Sequence, residues 1–150
     1  MTYAVERAND STVELRLEYD GAPEEDSFDR LEYYPREELR PGDVFITNDP
    51  YVGGSPHASD VVVLNPVFAD GEVVAFALNI AHKPDIGGLV PGTSSGEARS
   101  LYHEGVQFPP VKVEAEGELQ RDVVNVLRNN SRDPDVTAAD LRGQVGCTKV

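Results

Sequence analysis

The chain has 150 residues, of which 27 are acidic and 13 are lysine or arginine, so its formal net charge is −14. This length predicts one domain with a modest hydrophobic core. The acidic balance argues against a nucleic-acid-binding protein, which needs a basic surface for phosphate contacts, and no run of roughly 18 apolar residues predicts a membrane span.

The sequence also carries no recognisable targeting signal or disulfide framework. The N-terminus lacks the basic and apolar segments of a secretory signal, so we expect a cytoplasmic protein. Cys147 is the only cysteine, which excludes an internal disulfide and a cysteine-based zinc site. Because Cys147 falls in the last apolar turn of a predicted helix, we expect a buried structural thiol.

The acidic residues greatly outnumber the lysines, which are Lys83, Lys112 and Lys149. An acidic, lysine-poor surface keeps a protein hydrated in high salt, where the repulsion between like charges is screened. We therefore interpret the composition as halophilic, and an acidic protein from an ordinary environment is the alternative.

The N-terminal part predicts one strand followed by a loop. Apolar residues alternate with polar ones over residues 12–19, which is typical of a half-buried strand. The acidic stretch Gly21–Asp29 predicts a loop, and Pro35 interrupts any helix over residues 31–40.

The central part predicts an antiparallel hairpin beside a short strand. Asp43–Thr47 is a short apolar strand, and the runs Val61–Phe68 and Glu72–His82 are rich in β-branched residues. Asp-Gly between the two runs supplies the positive φ angles of a tight hairpin turn. Pro66 predicts an edge position or a bulge within the first run.

The C-terminal part predicts short helices, so the fold class is α+β with an antiparallel sheet centred on the hairpin. Ser94 or Ser95 has the position of a helix cap for a short helix through Tyr102. Apolar spacing predicts a helix over Leu119–Asn129, and Thr137 with Asp140 has capping-box spacing before a last helix toward Val145.

Two histidines share one pattern, His57-x-x-Asp60 and His82-x-x-Asp85. The first pair precedes one hairpin arm and the second follows the other, and these ends lie side by side in an antiparallel hairpin. Imidazole and carboxylate ligands without thiolates suit manganese, iron or zinc. The sequence therefore predicts a metal site, and ordinary surface pairs or local caps are the alternative.

Other polar positions allow two interpretations each. The glycine pairs Gly53-Gly54 and Gly87-Gly88 permit either close approach to an ion or ligand, or ordinary turns. No phosphate-binding glycine motif is present, so we expect no nucleotide on this chain. Arg128 and Arg132 are candidates for anion binding beside helix-capping asparagines.

Several of these segments together resemble the hydantoinase B family. The resemblance runs from about Leu39 to Cys147. The motifs that carry it are Gly42-Asp43-Val44, Asn48-Asp49-Pro50-Tyr51, Gly53-Gly54, His57-x-x-Asp60, Ala81-His82-x-x-Asp85-x-Gly87-Gly88, Pro91-Gly92, Glu104-Gly105, Pro109-Pro110-Val111-Lys112, Asn130-x-Arg132-x-Pro134 and Asp140-Leu141-x-x-Gln144.

The resemblance implies a subunit of an ATP-dependent hydrolase acting on hydantoin or 5-oxoproline-like cyclic amides. A hydantoinase A-type partner would bind ATP and phosphorylate the substrate oxygen. The related acetone carboxylase subunit carries manganese on two histidines and an aspartate, which map to His57, Asp60 and His82. A non-catalytic structural or interaction module and a component of a ketone carboxylase are the alternatives.

Three carboxylates are candidates for a general base beside such a metal: Asp49, Asp85 and Glu104. Family members are several times longer than this chain, so the resemblance implies a fragment, a split subunit or a degenerate remnant of a larger family fold. We divide it into a divergent segment, residues 1–38, and a hydantoinase B-like core, residues 39–150.

Overall fold

The structure is a computed structural model that describes residues 2–9, 12–18, 33–92 and 95–149. Strands β1 (Thr2–Asn9) and β2 (Thr12–Glu18) form an antiparallel hairpin, which confirms the predicted strand. The loop predicted over Gly21–Asp29 lies outside the described residues. Pro35 precedes a single 3₁₀ turn, Arg36–Glu38, in agreement with an interrupted helix.

A five-stranded antiparallel sheet forms the centre of the fold, with strand order β5-β4-β3-β6-β7. Its strands are β3 (Val44–Thr47), β4 (Asp60–Ala69), β5 (Glu72–His82), β6 (Val111–Ala115) and β7 (Glu118–Leu119). The predicted antiparallel, hairpin-centred α+β fold is therefore confirmed.

The β4–β5 hairpin closes with the predicted two-residue turn. Asp70 and Gly71 have φ angles of 51° and 85°, the left-handed conformations that a tight hairpin turn requires. Of the residues of β4, only 62–64 pair with β3, so Pro66 lies beyond the part of β4 that β3 covers. The edge position predicted from Pro66 is therefore confirmed. The nearby bulge, opposite Val67 and Phe68, has its extra residue, Val74, in β5 and not in the strand that contains Pro66.

Helices α1 (Arg121–Asn130) and α2 (Pro134–Gly146) pack on one face of the sheet. Because side chains alternate along each strand, Val44 and Ile46 join this main core while Phe45 joins a smaller cluster on the other face. The main core includes Val61, Val63, Ile86, Val113, Val124, Leu127, Ala138, Leu141 and Val145. No helix among the described residues is long and apolar enough to span a bilayer.

Two helix predictions need correction. Instead of a helix ending at Tyr102, the structure has a 3₁₀ turn, Leu101–His103, because residues 95–100 are mostly exposed and no packing offsets the cost of helix nucleation. Ser94 lies outside the described residues. Helix α2 begins at Pro134, whose fixed φ suits the first helical position.

The interpretation of Thr137 and Asp140 as a capping box is therefore wrong. Thr137 lies inside α2, is fully buried, and its hydroxyl donates to the Asp85 carbonyl at 3.1 Å. The prediction of a buried thiol is also wrong, since Cys147 is exposed. It follows the end of α2, where the neighbouring Val145 and Thr148 occupy the buried side.

Candidate metal centre

Three predicted ligands, His57, Asp60 and His82, converge at one end of the β4–β5 hairpin. Asp60 begins β4 and His82 ends β5, and the two are direct partners in the strand register. The distance from His57 Nε2 to Asp60 Oδ2 is 3.2 Å, and that from His82 Nδ1 to Asp60 Oδ1 is also 3.2 Å. The two imidazole rings are 5.0 Å apart between centroids.

The bulge in β5 determines that Asp60 and His82 meet. Uninterrupted pairing from Ala69 opposite Glu72 would place Asp60 opposite Ala81, but Val74 has no partner and shifts the register by one residue. Successive side chains of a strand point to opposite faces, so a one-residue shift changes which face each side chain occupies. The bulge therefore brings His82 to the same face as Asp60.

The geometry of the three side chains suits a single divalent ion. Each offers one ligand atom, and these atoms lie within 4.8 Å of one another. Donor atoms about 2.1 Å from one ion lie about 3.0–3.4 Å apart at octahedral or tetrahedral angles. The two 3.2 Å separations lie in this range.

The donor set leaves room for further ligands. The side chains of His57 and His82 are 30% and 46% exposed, whereas that of Asp60 is 17% exposed. Catalytic sites of manganese, iron and zinc commonly use histidine nitrogens and a carboxylate while keeping a position open to water or substrate. The residues present therefore fit such an ion.

The loop between His57 and Asp60 is held on both sides by hydrogen bonds. The N–H of Ala58 donates to Glu104 Oε2 at 3.0 Å, and its carbonyl accepts from Asn48 Nδ2 at 2.7 Å. The Ser59 carbonyl accepts from the Lys83 N–H at 2.8 Å. Because these bonds fix a backbone residue next to each ligand, they position the ligands before any ion binds.

Asn48 is a site residue for which sequence reasoning gave no role. It is fully buried just after β3, and its Nδ2 also donates to the Val106 carbonyl at 2.8 Å. Its Oδ1 accepts from the Phe108 N–H at 2.6 Å. The sequence offered one sign of this role, a polar residue directly between an apolar strand and Asp49-Pro50. The burial of Asn48 is explained only by its partners far away in sequence.

Asp85 does not join the cluster, which corrects the expectation that both acids of the two His-x-x-Asp units meet there. Its carboxylate accepts from the Arg132 N–H at 2.7 Å, from Arg132 Nη1 at 2.9 Å and from the Gly87 N–H at 3.0 Å. It is only 4% exposed. Asp85 therefore anchors the segment between α1 and α2, and Arg132 is committed to this contact and to the Gly88 carbonyl.

The glycine pair Gly87-Gly88 packs against protein backbone. A Cβ at Gly88 would lie 2.7 Å from the His103 carbonyl oxygen, and one at Gly87 would lie 3.0 Å from the Asn130 carbonyl oxygen. Their φ angles are 82° and 93°, which favour glycine. The close approach that these glycines permit is therefore to the end of α1 and to the 3₁₀ turn at His103.

The other two general-base candidates and the third histidine, His103, make contacts of their own. Glu104 is half-buried and reaches the His57 loop through Ala58. Asp49 forms a turn, since its Oδ1 accepts from the Tyr51 N–H at 2.8 Å. His103 Nδ1 accepts from the Arg99 N–H at 3.0 Å and is not part of the ligand cluster found among the described residues.

Lys83, which follows His82, is the most unusual buried residue near the cluster. Its side chain is fully buried, and its Nζ lies 2.5 Å from Asp140 Oδ2. Burial lowers the pKa of the Lys83 ammonium below its usual value of 10.5, although the hydrogen bond and the charge of Asp140 oppose this shift.

Comparisons with known proteins agree with this fold. Residues 21–150 match the family described as hydantoinase B/oxoprolinase, so the match begins before the Leu39 boundary of the motifs. The caprolactamase subunit beta of Pseudomonas jessenii is 40% identical over 114 residues, covering 76% of this chain and 19% of that protein.

Two solved structures resemble the fold. The crystal structure of the ATP-dependent caprolactamase from Pseudomonas jessenii superposes with a TM-score of 0.68 at 38% identity, covering 75% of this chain and 19% of that chain. A nucleotide-free acetone carboxylase structure has a TM-score of 0.67 at 24% identity, covering 74% of this chain and 14% of that one, and supports the fold alone.

The chain spans 18–22% of the length of three curated relatives that match most of it. The matched family region nevertheless contains both helices, the whole five-stranded sheet and the three converging ligands. The chain belongs to the hydantoinase B/oxoprolinase family.

Proposed function

We propose that this chain binds a divalent metal ion through His57, Asp60 and His82, as part of a B-type subunit of an ATP-dependent cyclic-amide hydrolase. The observation that carries the proposal is the 3.2 Å contact of each histidine with one oxygen of Asp60. Manganese, zinc and iron all suit this donor set.

Each residue of the site has a distinct role in this proposal. Asp60 lies between the two imidazoles and presents one oxygen to each. The exposed sides of His57 and His82 leave space for a substrate carbonyl or a water molecule. A bound divalent ion would supply Lewis acidity to that oxygen.

Glu104 is the general-base candidate that the contacts favour. Its Oε2 binds the Ala58 N–H beside His57, which places a carboxylate next to the ligand loop. Asp49 remains a second candidate, whereas both oxygens of Asp85 are already engaged. Glu104→Gln keeps an acceptor for Ala58 and removes the base, so it should lower kcat without changing metal content.

The proposed reaction requires a partner. The chain contains no phosphate-binding glycine motif, and a relative named as a subunit beta supports a multi-subunit enzyme. We propose that a hydantoinase A-type subunit binds ATP and phosphorylates the amide oxygen of hydantoin, 5-oxoproline or a similar ring. The assembly would act in the cytoplasm.

Metal analysis of the purified protein tests the core of the proposal. The wild-type chain should retain or bind about one equivalent of manganese, zinc or iron, and the double variant His57→Ala, His82→Ala should bind none. His103→Ala is the matched control, because this third histidine lies outside the cluster. Equal metal content in the wild type and the double variant would refute the proposed metal site.

A second experiment separates an enzyme subunit from a non-catalytic interaction module. The chain is mixed with an A-type subunit and ATP, and hydrolysis of 5-oxoproline or hydantoin is measured together with complex formation. ATP-dependent hydrolysis that is lost in the histidine double variant supports the hydrolase. Complex formation without turnover supports the module, and ketone-dependent bicarbonate fixation would identify a carboxylase component.

A further inference from the structure

The ion pair between Lys83 and Asp140 connects helix α2 to the strand end that carries His82. Lys83 directly follows His82, and its side chain is fully buried. Its Nζ donates to Asp140 Oδ2 at 2.5 Å, and its backbone N–H donates to the Ser59 carbonyl at 2.8 Å. Lys83 thus holds the His82 strand end to α2 and to the loop between His57 and Asp60.

Stability alone gives a poor account of this pair. Lysine is among the residues least often found fully buried. Replacing a buried ion pair by apolar side chains of similar volume is often neutral or stabilising, because desolvation offsets the attraction between the charges. What the pair does provide is a fixed position for the strand end. Because the Lys83 ammonium has one charged partner, their contact sets where the strand end lies relative to the helix.

Further contacts join α2 and the residues just after it to the hairpin. Asp140 and Gln144 are four residues apart and lie on the same side of α2, and Thr148 follows the end of the helix at Gly146. Asn79 Nδ2 donates to the Gln144 carbonyl at 2.9 Å, and Asn65 Nδ2 donates to the Thr148 carbonyl at 3.0 Å. These amide contacts hold α2 along the hairpin, and Asp140 fixes it at the end where the ligands converge.

We propose that Lys83 and Asp140 are positioning residues of the metal centre, which hold His82 at the angle that directs Nδ1 toward Asp60. This inference rests on the proposed metal-binding function. Its physical basis is that neither residue is one of the three ligands, yet Lys83 contacts both segments from which the ligands project. Partners of ligand-bearing segments set ligand orientation and thereby metal affinity.

Titration of the metal-free protein with Co²⁺, followed by visible absorption, tests the inference. Lys83→Met keeps the side-chain length and removes the charge. We expect it to fold, to bind Co²⁺ about tenfold more weakly than the wild type, and to change the absorption bands that report ligand geometry. Asp140→Asn should act in the same direction, and Asp140→Glu, which keeps a carboxylate for Nζ, should restore much of the affinity.

Arg128→Met is the matched control, because it removes an ion pair to Asp135 between α1 and α2 in which no ligand-bearing segment takes part. It should leave the Co²⁺ affinity and spectrum unchanged. A folded Lys83→Met protein with wild-type affinity and spectrum would overturn the inference. If Lys83→Met does not fold, Asp140→Asn decides the question by the same two readouts.

The outcomes also separate this inference from the proposed function. If the wild type binds Co²⁺, the His57→Ala, His82→Ala variant does not, and Lys83→Met binds normally, the metal site stands and the positioning role is refuted. If the wild type binds no Co²⁺, the metal site itself is refuted, and the positioning role with it.

Discussion

The contact between Arg132 and Asp85 gives a quantitative test of whether Asp85 is structural. Arg132→Ala removes the 2.9 Å bond from Nη1 to Asp85 Oδ1 and the 2.6 Å bond from Nη2 to the Gly88 carbonyl. The Asp85 carboxylate keeps two backbone donors, the N–H groups of residue 132 and of Gly87. The substitution therefore weakens the anchoring of a buried carboxylate without leaving it unpaired.

The magnitude follows from these contacts. A hydrogen bond to a charged group contributes about 1.5–3 kcal/mol. The Arg132 side chain is 46% exposed, so solvent screening reduces the sum of its two bonds. We expect the free energy of unfolding to fall by about 2–3 kcal/mol, which corresponds to a decrease in Tm of roughly 5–10 °C for a chain of this size.

Urea unfolding followed by circular dichroism measures this change. The matched control is Arg128→Ala, whose partner Asp135 has a side chain that is 84% exposed. Such a surface pair contributes about 0–1 kcal/mol. Equal losses in the two variants, or a loss below about 1 kcal/mol for Arg132→Ala, would refute the anchoring role and return Asp85 to the list of possible bases.

Further predictions concern the core, the loops, the bulge and the effect of salt. Leu141→Ala, at a position 1% exposed, should lower the free energy of unfolding by about 2–5 kcal/mol. Val136→Ala, at a position 50% exposed, should lower it by less than about 0.5 kcal/mol. Urea unfolding measures both changes, and similar losses would contradict the assigned core. Gly88→Ala should cost about 2 kcal/mol or more, because it combines a positive φ with a Cβ 2.7 Å from a carbonyl oxygen, and Gly71→Ala, with open space around its Cβ, should cost only about 1 kcal/mol. Deleting Val74 removes the bulge and shortens β5 by one residue, so uninterrupted pairing from Ala69 and Glu72 should still place Asp60 opposite His82. Co²⁺ binding should therefore survive, and loss of binding would show that the bulge has another role. If the acidic composition is halophilic, Tm should rise as KCl is increased to molar concentrations, and a falling Tm would favour an ordinary acidic protein.

Several strands were predictable because their signals are local. Alternation over residues 12–19 and the β-branched runs on both sides of Asp70-Gly71 identified β2, β4 and β5. The Asp-Gly pair also identified the turn, since two adjacent positive φ angles are unfavourable for most residues. These patterns depend on neighbouring residues alone.

Helix boundaries were less predictable, because competing local signals are resolved by packing. Thr137 and Asp140 have the spacing of a capping box, yet Pro134 starts α2 one turn earlier. Thr137 is then inside the helix and bonds to Asp85. The short helix expected before Tyr102 is replaced by a 3₁₀ turn, because its residues are mostly exposed and gain little from packing.

The sequence by itself determined that His57, Asp60 and His82 would gather, since a hairpin closed by a two-residue turn brings the start of one arm to the end of the other. Only the tertiary structure decided the exact partners. The unpaired Val74 places His82 opposite Asp60. The packing of α2 brings Asp140 into contact with Lys83. The segment before α2 brings Arg132 into contact with Asp85. Spacing along the chain cannot distinguish Asp85 and Asp140 from Asp60. Their roles depend on partners that lie 47 and 57 residues away in sequence.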